Sequence, residues 1–286
     1  MSNKTTNELR SRRLLRLVYA LLLAIILAGT PPVADFANGS SSQSNRSLTP
    51  TDSQIEKQRQ RLSSAEEEER RDALMRLGAM HLPGASRVAL TGLTDPSPVI
   101  RAVAAHAILG LGAEESARNL IPLLSDGNEF VRREAAYALG LTHSRSATGP
   151  LSELLVNDKE DGVQGAAAVA LGRIADEGAV VQLAQVLLFA SSPTVKGKSK
   201  VKAERNPFVL RAVATALGEI KSRAGVPALI AALINEEFTS DVRREAAHAL
   251  GLIGDPASVP ALRIATDAED PYLARVAHES LRKMSP

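Results

Sequence analysis

DVRREAAHALGLIGDPASVPAL, residues 241–262, spells out one structural unit. Val242, Ala246, Ala249, Leu250 and Ile253 recur at steps of three and four, the spacing of a helix with one apolar stripe. Gly254 then supplies a helix stop, Asp255 an N-cap and Pro256 a first-turn proline, after which Val259, Leu262 and Ile264 resume the apolar pattern. The segment therefore reads as helix, break, helix. Its Ala-rich first helix lets neighbouring helices approach closely, while Leu and Ile fill the space between layers. A single hairpin of this kind cannot bury both apolar faces, so copies must stack.

The copies are present. VRREAAYALG begins at Val131 and VRREAAHALG at Val242, and weaker versions begin at Glu69, Ile100, Val163 and Val209. Aligning the large aliphatic residue near the end of each gives Leu77, Ile108, Leu139, Leu171, Leu217, Leu250 and Leu281. The period is about 31 to 33 residues, which marks a helical repeat array, and one longer step places an insertion at 191–206. The expected fold is all-α, an α-solenoid of about six helical-hairpin repeats over residues 64–286. Aromatic residues make up 3% of the chain and Trp is absent, so the core must be thin and aliphatic rather than ring-filled.

With Asp241, Val242-Arg243, the run to Ala249-Leu250-Gly251, Gly254-Asp255 and Val259-Pro260-Ala261-Leu262, the pattern resembles HEAT repeats of the short type named after phycobilisome lyase subunits. That resemblance implies a scaffold or adaptor, with two enzymatic relatives to weigh. In the deoxyhypusine hydroxylases, His-Glu pairs in first helices hold two irons. The corresponding pairs here are Arg133-Glu134 and Arg244-Glu245, and a guanidinium cannot ligate a cation. His278-Glu279 is the one His-Glu pair and lies out of register in the last half repeat. The phycobilin lyases offer no catalytic motif that can be carried over. No catalytic residue, metal or cofactor is expected, and the HEAT-repeat enzyme remains the alternative.

The amino terminus reads as a targeting segment. A basic stretch ending at Arg16 precedes an apolar run from Leu17 to Gly29 and then Pro31-Pro32, the order of a signal peptide or an uncleaved anchor. Residues 1–34 are assigned to it, with membrane contact through residues 14–29. Residues 35–63, rich in Ser, Asn and Thr, are expected as a flexible linker. The folded part would then lie in the periplasm, soluble or tethered. The chain has no Cys, which removes disulfides and thiolate chemistry. Residues 64–286 carry 25 basic and 28 acidic side chains, the wrong balance for a nucleic-acid footprint. A protein partner is expected instead.

Three sets of side chains stand out. Arg101, Arg132, Arg211, Arg243 and Arg275 accompany Asp95, Asp126, Asp241 and Asp270 near the starts of the copies, and are expected to pair as a ladder between repeats. Gln164 interrupts that series. The insertion carries Lys196, Lys198, Lys200, Lys202 and Arg205 against Glu204, a basic run suited to an acidic protein partner or an anionic surface. His106 and His248 share one register with Tyr137 between them, and are expected at the surface or between helices. On the second helices the row Thr91, Pro122, Glu153, Gln185, Ile230 and Arg263 shows no common chemistry.

Overall fold

The computed structural model describes residues 49–190 and 206–284. Fourteen α-helices alternate between two layers among these residues. The first helices of the hairpins are α2 (Glu67–Ala79), α4 (Pro98–Ala107), α6 (Glu129–Thr142), α8 (Asp161–Ile174), α10 (Pro207–Ile220) and α12 (Ser240–Ile253). Their second helices are α3 (Pro83–Ala89), α5 (Ala113–Leu120), α7 (Thr148–Asn157), α9 (Val180–Ala190), α11 (Val226–Ile234) and α13 (Val259–Ala265). The six hairpins are preceded by α1 (Pro50–Arg61) and followed by α14 (Pro271–Met284). Each even-numbered helix packs on the next even-numbered one, and α7, α9, α11 and α13 pack in sequence in the second layer.

The turns follow the local chemistry read from residues 241–262. Gly254 ends α12 at φ 70°, and the Asp255 carboxylate accepts the Ala257 N–H at 2.9 Å at the head of a 3₁₀ turn leading into α13. Asn128 and Asn206 cap α6 and α10 in the same way, through the N–H groups of Phe130 and Phe208. The left-handed position that Gly254 occupies is filled in other repeats by His81, His143, Ala175 and Lys221, all with φ between 50° and 57°.

The aligned aliphatic residues form the seam between layers: Leu77, Ile108, Leu139, Leu171, Leu217 and Leu250 are at most 1% exposed. The glycine after them sets how closely the first helices stack. A Cβ on Gly140 would lie 2.8 Å from Ala170 Cα, on Gly172 2.9 Å from Ala216 Cα, and on Gly218 2.9 Å from Ala249 Cα. The Ala-Leu-Gly triplet is thus a contact rule, with the glycine of one repeat seated on the alanine of the next. In α14 the glycine position is Arg282 and the small-residue position three before the seam, Ala247 in α12, is His278; both are exposed.

One boundary must be corrected. Residues 35–63 were expected as linker, but 50–61 are helical. Thr49 accepts the Asp52 N–H at 3.1 Å while Asp52 accepts the Thr49 N–H at 3.3 Å, a reciprocal capping box with Pro50 at the first helical position. Ile55 and Leu62 pack on the core, Gln58 is buried and Arg61 pairs with Asp72. The helix acts as the second-layer element of a preceding half repeat, covering α2 and α3 with a polar outer face. The apolar run Leu17–Gly29 and the rest of residues 1–48 lie outside the described residues. Among those described, no helix is long and apolar enough to cross a membrane.

Candidate functional site

Two long surfaces run along the stack, and the side chains singled out in the sequence divide between them. The first is the edge where one hairpin turns into the next, and its interior holds the Arg/Asp ladder. Arg70 grips Asp95 with Nε at 2.8 Å and Nη2 at 3.1 Å, Arg101 grips Asp126 at 2.8 and 2.9 Å, and Arg132 grips Asp158 at 2.7 and 3.1 Å. Nη1 of each guanidinium turns back to carbonyls of the preceding connection: Ser64 and Ala65 for Arg70, Asp95 and Pro96 for Arg101, Asp126 for Arg132. Gln164 continues the last of these bonds through the Asp158 carbonyl without the charge.

Electrostatics follow from that geometry. The Arg101 hydrogen bond holds the Asp126 carboxyl below the ordinary carboxylate range, against the opposing effect of burial and helped by the Asn128 N–H. For Asp158 burial is the largest effect and pushes the carboxyl up, but the Arg132 and Glu160 hydrogen bonds together with the Arg132 and Lys159 charges hold it low. This edge is structural, with few donors free for a ligand.

The expected ladder needs correction at its carboxy-terminal half. Arg243 sits in register but donates to the Leu233 carbonyl at 2.9 Å, and its neighbour Arg244 takes both Asp270 (2.8 Å) and Asp241 (2.9 Å). Arg211 and Arg275 stand one residue past the register, about 100° around the helix. Leu210 and Ala274 occupy the register itself. Among the described residues Arg211 and Arg275 make no ion pair; they lie over the rings of Phe208 (5.9 Å) and Tyr272 (5.6 Å). Arg70 and Asp158 belong to the ladder and were missed, although each stands at the spacing that Arg101 and Asp126 define.

The register of the hydroxylase His-Glu pairs holds Arg133-Glu134 and Arg244-Glu245, engaged with protein groups. Arg133 lies over Phe130, and Glu134 receives Arg133 and approaches His106 Nε2 at 3.1 Å across two repeats. His248 Nδ1 is 3.5 Å from Glu245 of its own helix. Among the described residues no three His, Asp or Glu side chains are placed to hold a metal ion.

The second surface is the outer face of the second helices. Val156 on α7, Leu188 on α9 and Ile234 on α11 each follow directly on a buried leucine (Leu155, Leu187, Leu233), and are 43%, 44% and 55% exposed. Phe189 and Ile264 extend the exposed apolar area. The equivalent positions in the outer repeats are Thr94, Ser125 and Asp267, so the fold does not require an apolar residue there. The row Thr91, Pro122, Glu153, Gln185, Ile230 and Arg263 lies beside this face, exposed except for half-buried Ile230. The apolar set lies three residues further along α7 and α9 and four further along α11. Lys196, Lys198, Lys200, Lys202 and Arg205 lie outside the described residues.

Stacked two-helix units in two layers define an α-solenoid. The model for HEAT repeats matches residues 55–140, 117–199 and 199–282, and the chain belongs to that family. No curated protein sequence matches it. Among solved structures it is similar to the complex of CpcE and CpcF of phycocyanin lyase from Nostoc (22% identity, 90% of this chain and 94% of that chain, TM-score 0.47). It is also similar to human deoxyhypusine hydroxylase (20%, 81% and 96%, 0.36) and to a designed armadillo repeat protein (17%, 81% and 100%, 0.39).

Proposed function

We propose that the chain is a non-enzymatic, protein-binding scaffold, exported to the periplasm in cleaved or membrane-tethered form, which holds its partner on the second-helix face. The observation that carries the reading is the row Val156, Leu188 and Ile234: exposed aliphatic side chains at one register on the second helices of three successive repeats, where the outer repeats place polar groups. A soluble repeat array gains nothing from such a row unless something covers it. The order of a basic stretch, an apolar run and a proline pair in residues 1–34 supports export. The basic run Lys196–Arg205 would contribute a second contact to an acidic partner.

The test uses the full-length chain with a photo-crosslinking residue placed singly at Leu188, Ile234 or Met75, the last being exposed on the first-helix layer. One protein captured from both second-helix positions, absent at Met75 and lost on combined Val156→Asp and Ile234→Asp, supports the scaffold. Equal capture from all three positions, or a purified protein that carries bound iron or bilin, overturns it. Fractionation of the same cells tests export, which fails if the protein remains in the cytoplasm.

A further inference from the structure

The second-helix face is not uniform along the stack. Its apolar row lies on α7, α9 and α11. On α3 and α5 the register one helical turn before Thr91 and Pro122 carries Arg87 and Arg118, where α7 and α9 have Gly149 and Val181. Both arginines are exposed; Arg87 and Arg59, at the end of α1, line a cleft of about 310 Å³, and Arg118 stands at the equivalent position one repeat further along. That cleft has hydroxyls of Ser63 and Thr91 on its walls and Ile100 in its floor.

The three cations are weakly engaged. Arg59 meets Glu56 through one nitrogen at 3.2 Å, and Arg87 stands 3.7 Å from Glu115, beyond hydrogen-bonding distance. Arg118 makes no ion pair among the described residues. By contrast, Asp95 in the same cleft is held by both nitrogens of Arg70. The face thus offers spare guanidinium donors at one end and an aliphatic row toward the other.

The spacing of the row selects the shape of its occupant. Stacked helices lie about 8–10 Å apart, so Val156, Leu188 and Ile234 recur at about that distance along the stack. A helix laid along them returns to the same face every seventh residue, a rise of about 10.5 Å. An extended strand returns every second residue, at about 6.8 Å, and falls out of step after one contact. We propose, resting on the docking face argued above, that the partner segment is an amphipathic helix with an apolar seam at heptad spacing and an acidic end, and that it lies along the stack with that end over Arg59, Arg87 and Arg118. Charge complementarity fixes its direction; the aliphatic row supplies the contact.

Three synthetic helical peptides of about 28 residues test this against the full chain by fluorescence anisotropy. One has Leu every seventh residue and four Glu at one end, one has four Lys there instead, and one keeps the Glu end but places Leu every fifth residue. The first is expected to bind about tenfold tighter than either of the others, with the advantage over the Lys peptide lost at high salt. Combined Arg87→Glu and Arg118→Glu should reverse the preference between the two heptad peptides, and Ile234→Asp should weaken both. Circular dichroism and thermal melting verify that the variants are folded. Equal binding of Glu- and Lys-ended peptides, a preference unmoved by the arginine variants, or no binding by any peptide overturns the inference. Crosslinking of one protein from Leu188 and Ile234 would still leave the scaffold reading standing in that event, so the two failures are distinguishable.

Discussion

Arg132 and Asp158 are joined by two hydrogen bonds of 2.7 and 3.1 Å that close the α6/α7 hairpin on itself, 26 residues apart in sequence. The same guanidinium donates to the Asp126 carbonyl at 2.9 Å, and the Asp126 carboxylate is held in turn by Arg101. One arginine therefore fixes the end of its own hairpin and the connection that precedes it. Stacked repeats contact only their neighbours, so a link of this kind, present in the α2/α3, α4/α5 and α6/α7 units, determines how each of those units is oriented on the last.

Removing one partner of a buried pair leaves the other charge uncompensated, which costs more than the pair contributes. The Arg132 and Asp158 side chains are 10% and 5% exposed, so Arg132→Ala is expected to destabilise the protein by about 3 kcal/mol. Arg132→Lys keeps the charge but loses the two-pronged geometry, and falls between. Arg244, at 32% exposure beside Asp270, should cost less than about 1 kcal/mol when changed to Ala. Urea unfolding midpoints of the three variants would order them; equal effects of Arg132→Ala and Arg244→Ala would refute a ladder-dependent core.

Asp126 and Asp158 both titrate below their ordinary range in the folded protein. A carboxylate depressed on folding stabilises the fold at every pH above its unfolded value of about 3.9, and that contribution is lost as pH falls through the lower folded value. Melting temperature should accordingly stay flat with respect to these groups between about pH 5 and 7, and drop steeply below about pH 4. Asp158→Asn should lower the neutral-pH melting temperature and make the acid limb shallower. An acid limb of unchanged slope would show that Asp158 is not among the groups responsible.

The stacking rule of the first helices can be separated from the ordinary effect of adding a methyl group. Gly140→Ala places a Cβ 2.8 Å from a backbone carbon of Ala170, and overpacking of that kind costs about 2 kcal/mol. Gly149, in the first turn of α7, has nothing within 4 Å of its would-be Cβ, and Gly149→Ala should stabilise by roughly 0.5 kcal/mol through reduced unfolded-state freedom. Differential scanning calorimetry on the pair should give shifts of opposite sign; a neutral Gly140→Ala would mean that α6 and α8 separate without penalty.

The repeat was legible because its signal is local: the helix period, Gly254-Asp255-Pro256 and the Ala-Leu-Gly triplet all lie within one copy. The ladder was half legible. Position near the start of each copy marks Arg101 and Arg132, but it also selects Arg211 and Arg275, which sit one residue out of register. Conversely, Arg70 does not stand out in the sequence, because Glu69 replaces the aliphatic residue that precedes Arg101, Arg132 and Arg243. Helix α1 was hidden by composition. Its Ser- and Thr-rich approach resembles a linker, and its order comes from the capping box at Thr49 and from Ile55 and Leu62 meeting the surface formed by α2 and α3. The apolar row was missed for a related reason. Leu155-Val156, Leu187-Leu188 and Leu233-Ile234 look like core dipeptides, and only the packed helix shows that the second residue of each faces outward.

The left-handed turn that follows five of the six first helices offers the cleanest test of strain. Gly254 adopts φ 70° at no steric cost, whereas Ala175 holds φ 55° at the equivalent position after α8. For a residue with a Cβ this region costs about 1 kcal/mol, partly offset on substitution by the greater freedom of glycine in the unfolded chain. Ala175→Gly is therefore expected to raise stability by about 0.5 kcal/mol. Gly254→Ala should lower it by about 1 kcal/mol, and because nothing lies within 4 Å of the added methyl, that loss is backbone strain rather than a clash. Guanidinium unfolding of the two single variants and the double variant reads both effects. The two sites lie in non-adjacent repeats, so the double variant should equal the sum of the singles. If Gly254→Ala were neutral, the turn after α12 would have to relax out of the left-handed region, and the hairpin would not depend on it.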